Sequence, residues 1–314
     1  MIRIVAGGTG FVGQHIIKHW LEQNIEVIVI GRSTDHIDQV FNHSVKAMTW
    51  QDFLTDPKPL LKNCDMILNL AGKNIADKRW STSIKQEILK SRIDTTANLA
   101  NACALLGTQS PMLFNASAVG IYPLQKKVSL SESGYTESSP LNSSAESFLA
   151  QVVQQWEAQT NIAQMQGVPV THLRFAPIIG ADSHIINKMW LPFKLGLGGP
   201  IGSGNQPFSW VHIDDVIKII DYLLDNKITG TVNIVAPNTI SQKQFARTLA
   251  RLLHRPAALT MPELVVKFLF GEMGNELLLQ GPHVYPQRLL ERGYAFEHSE
   301  INSALTEIIH KKTT

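Results

Sequence analysis

Residues 6–13 read Ala-Gly-Gly-Thr-Gly-Phe-Val-Gly, and this segment decides the fold. It follows a short apolar run and precedes a stretch in which apolar side chains recur at helical spacing. Gly7 suits a tight turn because glycine adopts backbone angles that other residues avoid. Gly10 lets a ligand approach the backbone, and Gly13 lets the helix pack closely on the strand. The free N–H groups at such a helix start favour a phosphate.

Short apolar runs alternate with helical patterns along the rest of the chain. The runs are almost continuously apolar, as expected for parallel strands buried on both faces. They span residues 2–6, 26–30, 65–70, 111–116 and 169–175, with a weaker run at 45–48. Alternation of strand and helix implies right-handed crossovers. The sequence therefore predicts an α/β protein with a Rossmann-type, doubly wound parallel sheet.

The pattern changes after residue 176. Residues 177–210 are rich in proline and glycine, which predicts loops over a site. A helix at 215–224 and a strand at 231–235 then indicate a return to the sheet. We predict a Rossmann domain over 1–176 with 212–236 returning to it, and a smaller, mostly helical substrate region over 177–211 and 237–314. That region should hold helices near 242–253 and 262–270, followed by a short Gly/Pro-rich tail.

The composition argues against several classes of protein. The formal net charge is +2 and the one basic pair, Lys311 and Lys312, lies at the chain end, so no nucleic-acid partner is expected. Cys64 and Cys103 have neither disulfide nor metal-ligand spacing, so no metal site is expected. No apolar stretch reaches the roughly 18 residues of a membrane span, and no signal peptide is visible. We expect a cytoplasmic protein with a small-molecule substrate; its oligomeric state is open, with a homodimer as one option.

The end of the second predicted strand concerns the choice of cofactor. Rossmann domains that bind NAD usually end this strand with an acid that bonds the ribose 2′-hydroxyl. Here Gly31 and Arg32 stand there instead. An arginine can clamp a 2′-phosphate, so the sequence predicts NADP(H); the alternative is a solvated loop arginine.

Two further features belong to the expected cofactor site. Gly72, at the end of the strand that closes with Leu70 and Ala71, permits close backbone approach. Arg92 lies on an apolar helix stripe, where a charge needs a partner, either the phosphates or nearby Glu87, unless it reaches solvent. The predicted cofactor-binding residues are Gly7, Gly10, Phe11, Val12, Gly13, Arg32, Leu70, Ala71, Gly72, Glu87, Arg92 and Ile178.

The glycine spacing, together with Trp-Val-His-Ile-Asp-Asp-Val at 210–216, resembles the extended short-chain dehydrogenase/reductases. Further segments resemble a narrower, atypical group within them, the epimerase family proteins, which are NAD-dependent epimerase/dehydratase-like with an extra C-terminal domain and are also labelled cell-division inhibitors. These segments lie at 71–80, 90–96, 191–204, 286–289 and 293–296. The resemblance implies an NADP(H)-binding extended fold and names no substrate.

The same resemblance implies a catalytic pattern that this chain keeps only in part. Members use a Ser after the fifth strand, and Ser117 matches it within Asn-Ala-Ser-Ala-Val-Gly-Ile-Tyr at 115–122. They also use Tyr-x-x-x-Lys on the next helix, followed four residues later by Glu. Aligning that Glu with Glu157 puts Leu149 and Val153 at the Tyr and Lys positions. The literal match, Tyr122 to Lys126, runs through Pro123 and is interpreted as a coincidence of spacing.

The remaining candidates leave two classes of function open. Ser117 and Tyr122 are predicted to be catalytic, and Lys194, Arg174 and His212 to bind substrate. For two of these the alternatives are structural: Arg174 pairs with Glu157, and His212 caps the following helix. The first class is an NADP(H)-dependent oxidoreductase or epimerase acting on a small carbonyl or nucleotide-sugar-like compound. The second is a non-catalytic NADP(H)-binding sensor or interaction protein.

Overall fold

The fold is built on a seven-stranded parallel sheet, seen in a computed structural model that describes residues 2–128, 134–141 and 147–313. Its strands are β1 (Ile2–Ala6), β2 (Glu26–Gly31), β3 (Lys46–Thr49), β4 (Met66–Asn69), β5 (Met112–Ala118), β6 (Val170–Phe175) and β10 (Gly230–Ile234). They lie in the order β10-β6-β5-β4-β1-β2-β3, and every pairing is parallel. The strand order reverses between β1 and β4, and open α/β sheets bind ligands at the carboxyl ends of the strands at such a point.

Helices connect and cover these strands. They are α1 (Phe11–Glu22), α2 (Thr34–Phe41), α3 (Trp50–Thr55), α4 (Lys58–Lys62), α5 (Thr82–Ala104), α6 (Phe148–Ala158), α7 (Asn161–Met165), α8 (His184–Lys194), α9 (Ile213–Asp225), α10 (Gln242–Leu252), α11 (Glu263–Leu277), α12 (Gln287–Glu291) and α13 (Ile301–Thr313). Two small ladders complete the fold, β7 (Ile178–Ile179) with β9 (Val211–His212) and β8 (Pro207–Phe208) with β11 (Ile240–Ser241).

The main core has one layer on each face of the sheet. On one face, Trp20 of α1 and Ile220 of α9 are fully buried against the strands. On the other face, Leu99 and Cys103 of α5 are fully buried. Because both faces are covered, the strands read as continuous apolar runs, and the predicted doubly wound α/β fold is confirmed. The predicted return to the sheet is also present: the helix α9 leads into the strand β10, which lies beside β6.

Two helices appear where loops or a tail were predicted. Residues 184–194 form α8, whose last turn contains Pro192, a residue that normally argues against a helix. Residues 301–313 form α13, where Ile301, Ala304 and Leu305 are buried at helical spacing. The prediction of loops was wrong at α8 because proline and glycine were weighted above the apolar periodicity. The prediction of a tail was wrong at α13 because the apolar periodicity there was overlooked, although residues 294–314 contain neither proline nor glycine.

The other helices agree with prediction except at their bounds. The helix predicted at 262–270 is the first part of α11, which kinks at Gly271 (φ 59°) and continues to Leu277. Apolar side chains recur at helical spacing between residues 143 and 166, which predicts one helix, but the structure has two there, α6 and α7. Residues 143–146 lie outside the described part of the chain.

Candidate functional site

The glycine turn connects β1 to α1 at the reversal of strand order. Gly7 has φ +77°, and a Cβ on it would lie 2.7 Å from Cα of Ala71. A Cβ on Gly13 would lie 2.4 Å from the carbonyl oxygen of Gly8. Gly10 differs, since its Cβ would meet nothing closer than 3.5 Å. Gly7 and Gly13 therefore serve the packing of the turn, while Gly10 presents an open backbone, as predicted for approach of a pyrophosphate.

The first turn of α1 has the properties of an anion site. Its N-cap is Gly10, which has no side chain to bond the free N–H groups, and its first turn contains no acidic residue. The N–H groups of Phe11, Val12 and Gly13 are thus free of intrahelical partners. A bound phosphate would satisfy them and benefit from the helix dipole.

Arg32 follows the last residue of β2 and is exposed. No hydrogen-bond or ion-pair partner for it exists within the parts of the chain that the structure describes. The next residue, Ser33, begins α2 and accepts a hydrogen bond from the N–H of His36. The guanidinium therefore projects from a fixed backbone position and is available to a ligand.

Arg92 lies across the end of β4. A Cβ on Gly72 would lie 3.3 Å from its Cζ, and its Nη1 donates to the carbonyls of Lys73 and Ile88 at 3.0 Å each. The guanidinium also lies 5.0 Å from the ring centre of Trp156. Burial lowers the pKa of Arg92 to about 10, so it stays charged at neutral pH. Among the described residues no carboxylate pairs with it.

Glu87, a predicted partner of Arg92, lies elsewhere. Its carboxylate forms an ion pair with Lys73 on an exposed surface. The hydrogen bond and charge of Lys73 lower the pKa of Glu87. The prediction that Glu87 pairs with Arg92 was wrong, because Arg92 turns toward backbone carbonyls and Trp156 instead. A contact between Glu87 and a cofactor stays a prediction.

Ser117 and Arg174 meet at one carboxylate. Ser117 Oγ donates to Oε1 of Glu157 at 2.5 Å, while Nε and Nη2 of Arg174 donate to Oε1 and Oε2 at 2.9 Å each. Burial opposes ionisation of Glu157, but the hydrogen bonds and charge of Arg174 outweigh it, and the pKa of Glu157 is lowered. Arg174 thus pairs with a carboxylate, Glu157, as one of the two predictions had it, and a contact with substrate stays a prediction.

Tyr122 belongs to the same network and is 1% exposed. Its hydroxyl donates to Oδ1 of Asn233 at 2.8 Å and accepts from Nη1 of Arg174 at 2.9 Å. Burial is the main cause of its raised pKa. The catalytic role of Tyr122 stays a prediction, and these bonds count against proton donation because its one proton is already donated to Asn233.

The helix that should carry the Tyr and Lys presents apolar side chains instead. Val153 is buried in one cluster with Val119, Ile121 and Tyr122, directly after β5. Leu149 packs against the same turn, since a Cβ on Gly120 would lie 3.2 Å from its Cβ. Leu149 and Val153 therefore share one face toward the end of β5, as their spacing predicts. Neither side chain moves a proton.

Two families match this chain. The NAD dependent epimerase/dehydratase family matches residues 3–235, and a domain of unknown function, DUF1731, matches residues 261–308. The chain belongs to the NAD dependent epimerase/dehydratase family. The resemblance to extended short-chain dehydrogenase/reductases of the epimerase group is thereby confirmed, with DUF1731 as the extra C-terminal part.

Relatives match this epimerase-family chain over nearly its whole length. Epimerase family protein YfhF of Bacillus subtilis is 33% identical over 314 residues, covering 99% of this chain and 98% of that protein. Epimerase family protein SDR39U1 of Mus musculus is 34% identical over 310 residues, covering 98% and 99%.

Solved structures share the fold. Human epimerase family protein SDR39U1 (isoform2), determined with NADPH, has a TM-score of 0.87 at 31% identity and covers 99% of both chains. UDP-glucose 4-epimerase of Thermus thermophilus, determined with NAD, has a TM-score of 0.73 at 17% identity, with 98% of this chain and 99% of that chain covered. The latter likeness concerns the fold alone.

A network of buried asparagine side chains, which was not predicted from the sequence, holds the carboxyl edge of the sheet. Asn69 Nδ2 donates to Oδ1 of Asn115 at 2.7 Å and to Oγ1 of Thr96 at 2.9 Å. Oδ1 of Asn69 accepts the N–H of Ala71, and Thr96 also accepts Nε1 of Trp156. The signal was available, because asparagine is unusual in two adjacent buried strands.

Glu276 is a second missed residue. Its buried carboxylate accepts the N–H groups of Phe148 and Leu149 at 2.9 and 3.1 Å, so α11 of the DUF1731 region caps the start of α6. Burial is the main cause of its raised pKa. Sequence gave no signal, because the two elements are far apart in the chain.

The other predicted site residues are spread over the molecule. Ile178 pairs with Val211. Two residues after Ile178, a Cβ on Gly180 would lie 2.9 Å from the ring of Phe11, so this segment borders the glycine turn.

Lys194 is exposed at the end of α8, where its carbonyl accepts a hydrogen bond from Nε of Arg255. His212 is buried and caps α9 by accepting the N–H of Asp214 at 3.3 Å, the structural alternative predicted for it. Substrate contacts by Lys194, Arg174 and His212 stay predictions.

Within the described ranges, no helix combines the length and apolarity that crossing a membrane requires.

Proposed function

We propose that this epimerase-family protein binds NADP(H) at the carboxyl edge of β1, β2 and β4. The observation that carries the proposal is the unpaired Arg32 at the end of β2, where a carboxylate would otherwise select NAD. Gly10 and the uncapped first turn of α1 would hold the pyrophosphate, with Arg92 as a second cation nearby. NADPH in the structure of human SDR39U1 supports the same choice.

The chemistry we propose is hydride transfer between this cofactor and a small carbonyl or alcohol compound, nucleotide-sugar-like compounds included. When bound, the cofactor donates or accepts the hydride. The chain must then supply or remove one proton, and Ser117 is the hydroxyl at the end of β5. Its own proton points to Glu157, so its oxygen is oriented to accept a hydrogen bond from a substrate hydroxyl.

Glu157 connects Ser117 to solvent. It borders an open cavity of about 410 Å³ that His172 and Thr231 also line. In alcohol oxidation the substrate proton would pass to Ser117 Oγ as the serine proton passes to Glu157, and from there to water. The lowered pKa makes Glu157 a weak base, so we expect slow turnover compared with enzymes that keep the Tyr–Lys pair.

A panel of small aldehydes and ketones with NADPH, and of alcohols and nucleotide sugars with NADP⁺, tests this chemistry, with consumption or formation of NADPH followed by absorbance. Turnover should fall about 10²-fold or more in Ser117→Ala. In Tyr122→Phe it should change far less, because the phenol proton is committed to Asn233. The opposite ranking would transfer the proton role to Tyr122.

A second function is favoured by the apolar face of Leu149 and Val153. If no compound in the panel is turned over while calorimetry shows tight binding of NADPH, the protein is a non-catalytic NADP(H) sensor or interaction protein. For such a sensor, we expect the protease sensitivity of α11 to differ between the free and the NADPH-bound protein, because α11 caps α6 through Glu276.

The setting proposed for either function is the cytoplasm. Cys64 and Cys103 are free and buried, and burial raises the pKa of Cys103 to about 11, so neither acts as a disulfide-forming thiol. A reducing compartment suits such a chain. We propose no nucleic-acid or membrane partner, and a homodimer stays one option for the assembly.

A further inference from the structure

Four side chains of metal-ligating type converge, and none of them is among the residues proposed to hold the cofactor. They are His212, Asp214, His298 and Glu307, and one ligand atom from each lies within 4.8 Å of the other three. The first two residues stand at the start of α9, His298 lies just before α13, and Glu307 is within α13. Sequence spacing did not suggest this cluster because its two halves are more than 80 residues apart in the chain.

His298 indicates that the cluster accepts a ligand. The residue is 6% exposed, and neither of its ring nitrogens has a hydrogen-bond partner among the described residues. Its Nε2 lies 3.1 Å from Oε2 of Glu307 without the geometry of a hydrogen bond. Buried polar nitrogens normally have partners, and a bound cation would give this one a partner.

The spacing of the ligand atoms suits a small tetrahedral ion. Zinc bonds of about 2.0–2.1 Å place neighbouring ligand atoms about 3.3–3.4 Å apart. Two of the six separations bracket this value, with 3.1 Å between Nε2 of His298 and Oε2 of Glu307 and 3.7 Å between Nδ1 of His212 and Oδ2 of Asp214, and all six lie within 4.8 Å, so binding would draw the ligand atoms together. The 3.3 Å hydrogen bond from the Asp214 N–H to that Nδ1 would be exchanged for the metal bond.

Lys311 sets the charge of the cluster. Its Nζ lies 3.1 Å from Oδ2 of Asp214 and 2.5 Å from Oε1 of Glu307. With neutral histidines, the two carboxylates and the ammonium leave a net charge of −1, which still attracts a divalent cation. The ammonium also competes for the same carboxylates, so it weakens metal binding.

We propose that His212, Asp214, His298 and Glu307 form a site for a divalent transition-metal ion such as Zn²⁺. Two imidazoles and two carboxylates match the ligand preference of such ions rather than that of Mg²⁺ or Ca²⁺. A metal bound there would tie α13, at the end of the chain, to the start of α9. Its test needs neither the proposed cofactor nor turnover.

The test uses full-length protein freed of any purification tag. Zn²⁺ is titrated by calorimetry, and Co²⁺ is added to read coordination from its visible absorption, which is intense for tetrahedral sites. We expect one ion per chain, a tetrahedral Co²⁺ spectrum and a higher Tm with Zn²⁺. His298→Gln should weaken binding at least about tenfold, and Lys311→Met should strengthen it.

A matched control is His36→Gln, which removes an exposed histidine on α2 and should leave Zn²⁺ binding unchanged. Glu307→Gln serves as a second ligand variant should His298→Gln fold poorly by circular dichroism. Equal Zn²⁺ affinity in wild type and both ligand variants, or an octahedral Co²⁺ spectrum, overturns the site.

Discussion

Ser117 in β5 and Arg174 in β6 stand at the same register of the sheet, and both bind the carboxylate of Glu157. The carboxylate comes from α6, the helix that in related enzymes carries the Tyr and Lys. The sheet edge is thus fastened to α6 by a buried ion pair and a serine hydrogen bond. The ion pair and the serine hydrogen bond thus hold α6 against the sheet edge, although Leu149 and Val153 stand where related enzymes have Tyr and Lys.

The ion pair predicts a particular loss of stability in acid. The pKa of Glu157 is lowered below its ordinary value of 4.5, so its contribution is complete above pH 4.5 and is lost as pH falls through the lowered folded pKa. Between pH 5 and 3, Tm of the wild type should fall more steeply than Tm of a Glu157→Gln/Arg174→Met double variant. Parallel curves would mean that the pair does not govern acid stability.

Glu276 predicts that the C-terminal region stabilises the catalytic helix. Replacing it with alanine removes both acceptors from the first turn of α6, which should cost about 0.5–2 kcal/mol of unfolding free energy. Urea denaturation measures the loss. Glu272→Ala, which removes an exposed carboxylate of the same helix that pairs with Lys85, is the control and should cost much less. Equal losses of unfolding free energy in the two variants would show that the cap by Glu276 stabilises the protein no more than the exposed pair of Glu272 and Lys85.

The fold was predictable because the strands are buried on both faces and follow one another in a regular rhythm. The glycine turn, the alternation of strands and helices in the first half and the return through α9 and β10 all follow from that pattern. Prediction failed at α8, where Pro192 and the glycines that follow it outweighed an apolar periodicity that was present. It failed at α13 although no proline or glycine interrupts that helix, because the spacing of Ile301, Ala304 and Leu305 was overlooked.

Contacts within the site were predictable only where a buried charged side chain had few possible partners. A buried Arg174 required a partner, either a carboxylate such as Glu157 or the substrate, and the structure has the pair with Glu157. Glu87 was only one of the partners considered for Arg92, and its distance from Arg92 along the helix did not show which way either side chain turns. The Asn69 network and the cap by Glu276 depend on contacts between distant segments, which one sequence does not encode locally.

Two glycines of the turn should respond differently to the same substitution. Gly7→Ala forces a Cβ to 2.7 Å from Ala71 at φ +77°, so it should cost about 1–3 kcal/mol of stability. Gly10→Ala meets no closer atom than 3.5 Å, so Tm should hold while NADPH binding weakens strongly. Thermal melts with and without NADPH separate the effects. Undiminished binding in Gly10→Ala would place the pyrophosphate elsewhere.

Arg92 should act on the cofactor more than on the fold. Arg92→Met keeps the apolar stem over Gly72 and beside Trp156 but removes the charge. We expect NADPH affinity to fall about tenfold or more, because a charged hydrogen bond to a ligand is worth about 1.5–3 kcal/mol, while Tm falls only modestly with loss of the bonds to the carbonyls of Lys73 and Ile88. Lower Tm with unchanged affinity would instead make Arg92 a structural residue.

The most direct test of the account is calorimetry of NADPH and NADH on the wild type and on Arg32→Ala. A bidentate contact between Arg32 and the 2′-phosphate predicts a clear preference for NADPH in the wild type. In Arg32→Ala, NADPH affinity should fall about ten- to hundredfold while NADH affinity barely changes. Equal affinity of the wild type for the two cofactors would contradict the proposal that this site selects NADP(H).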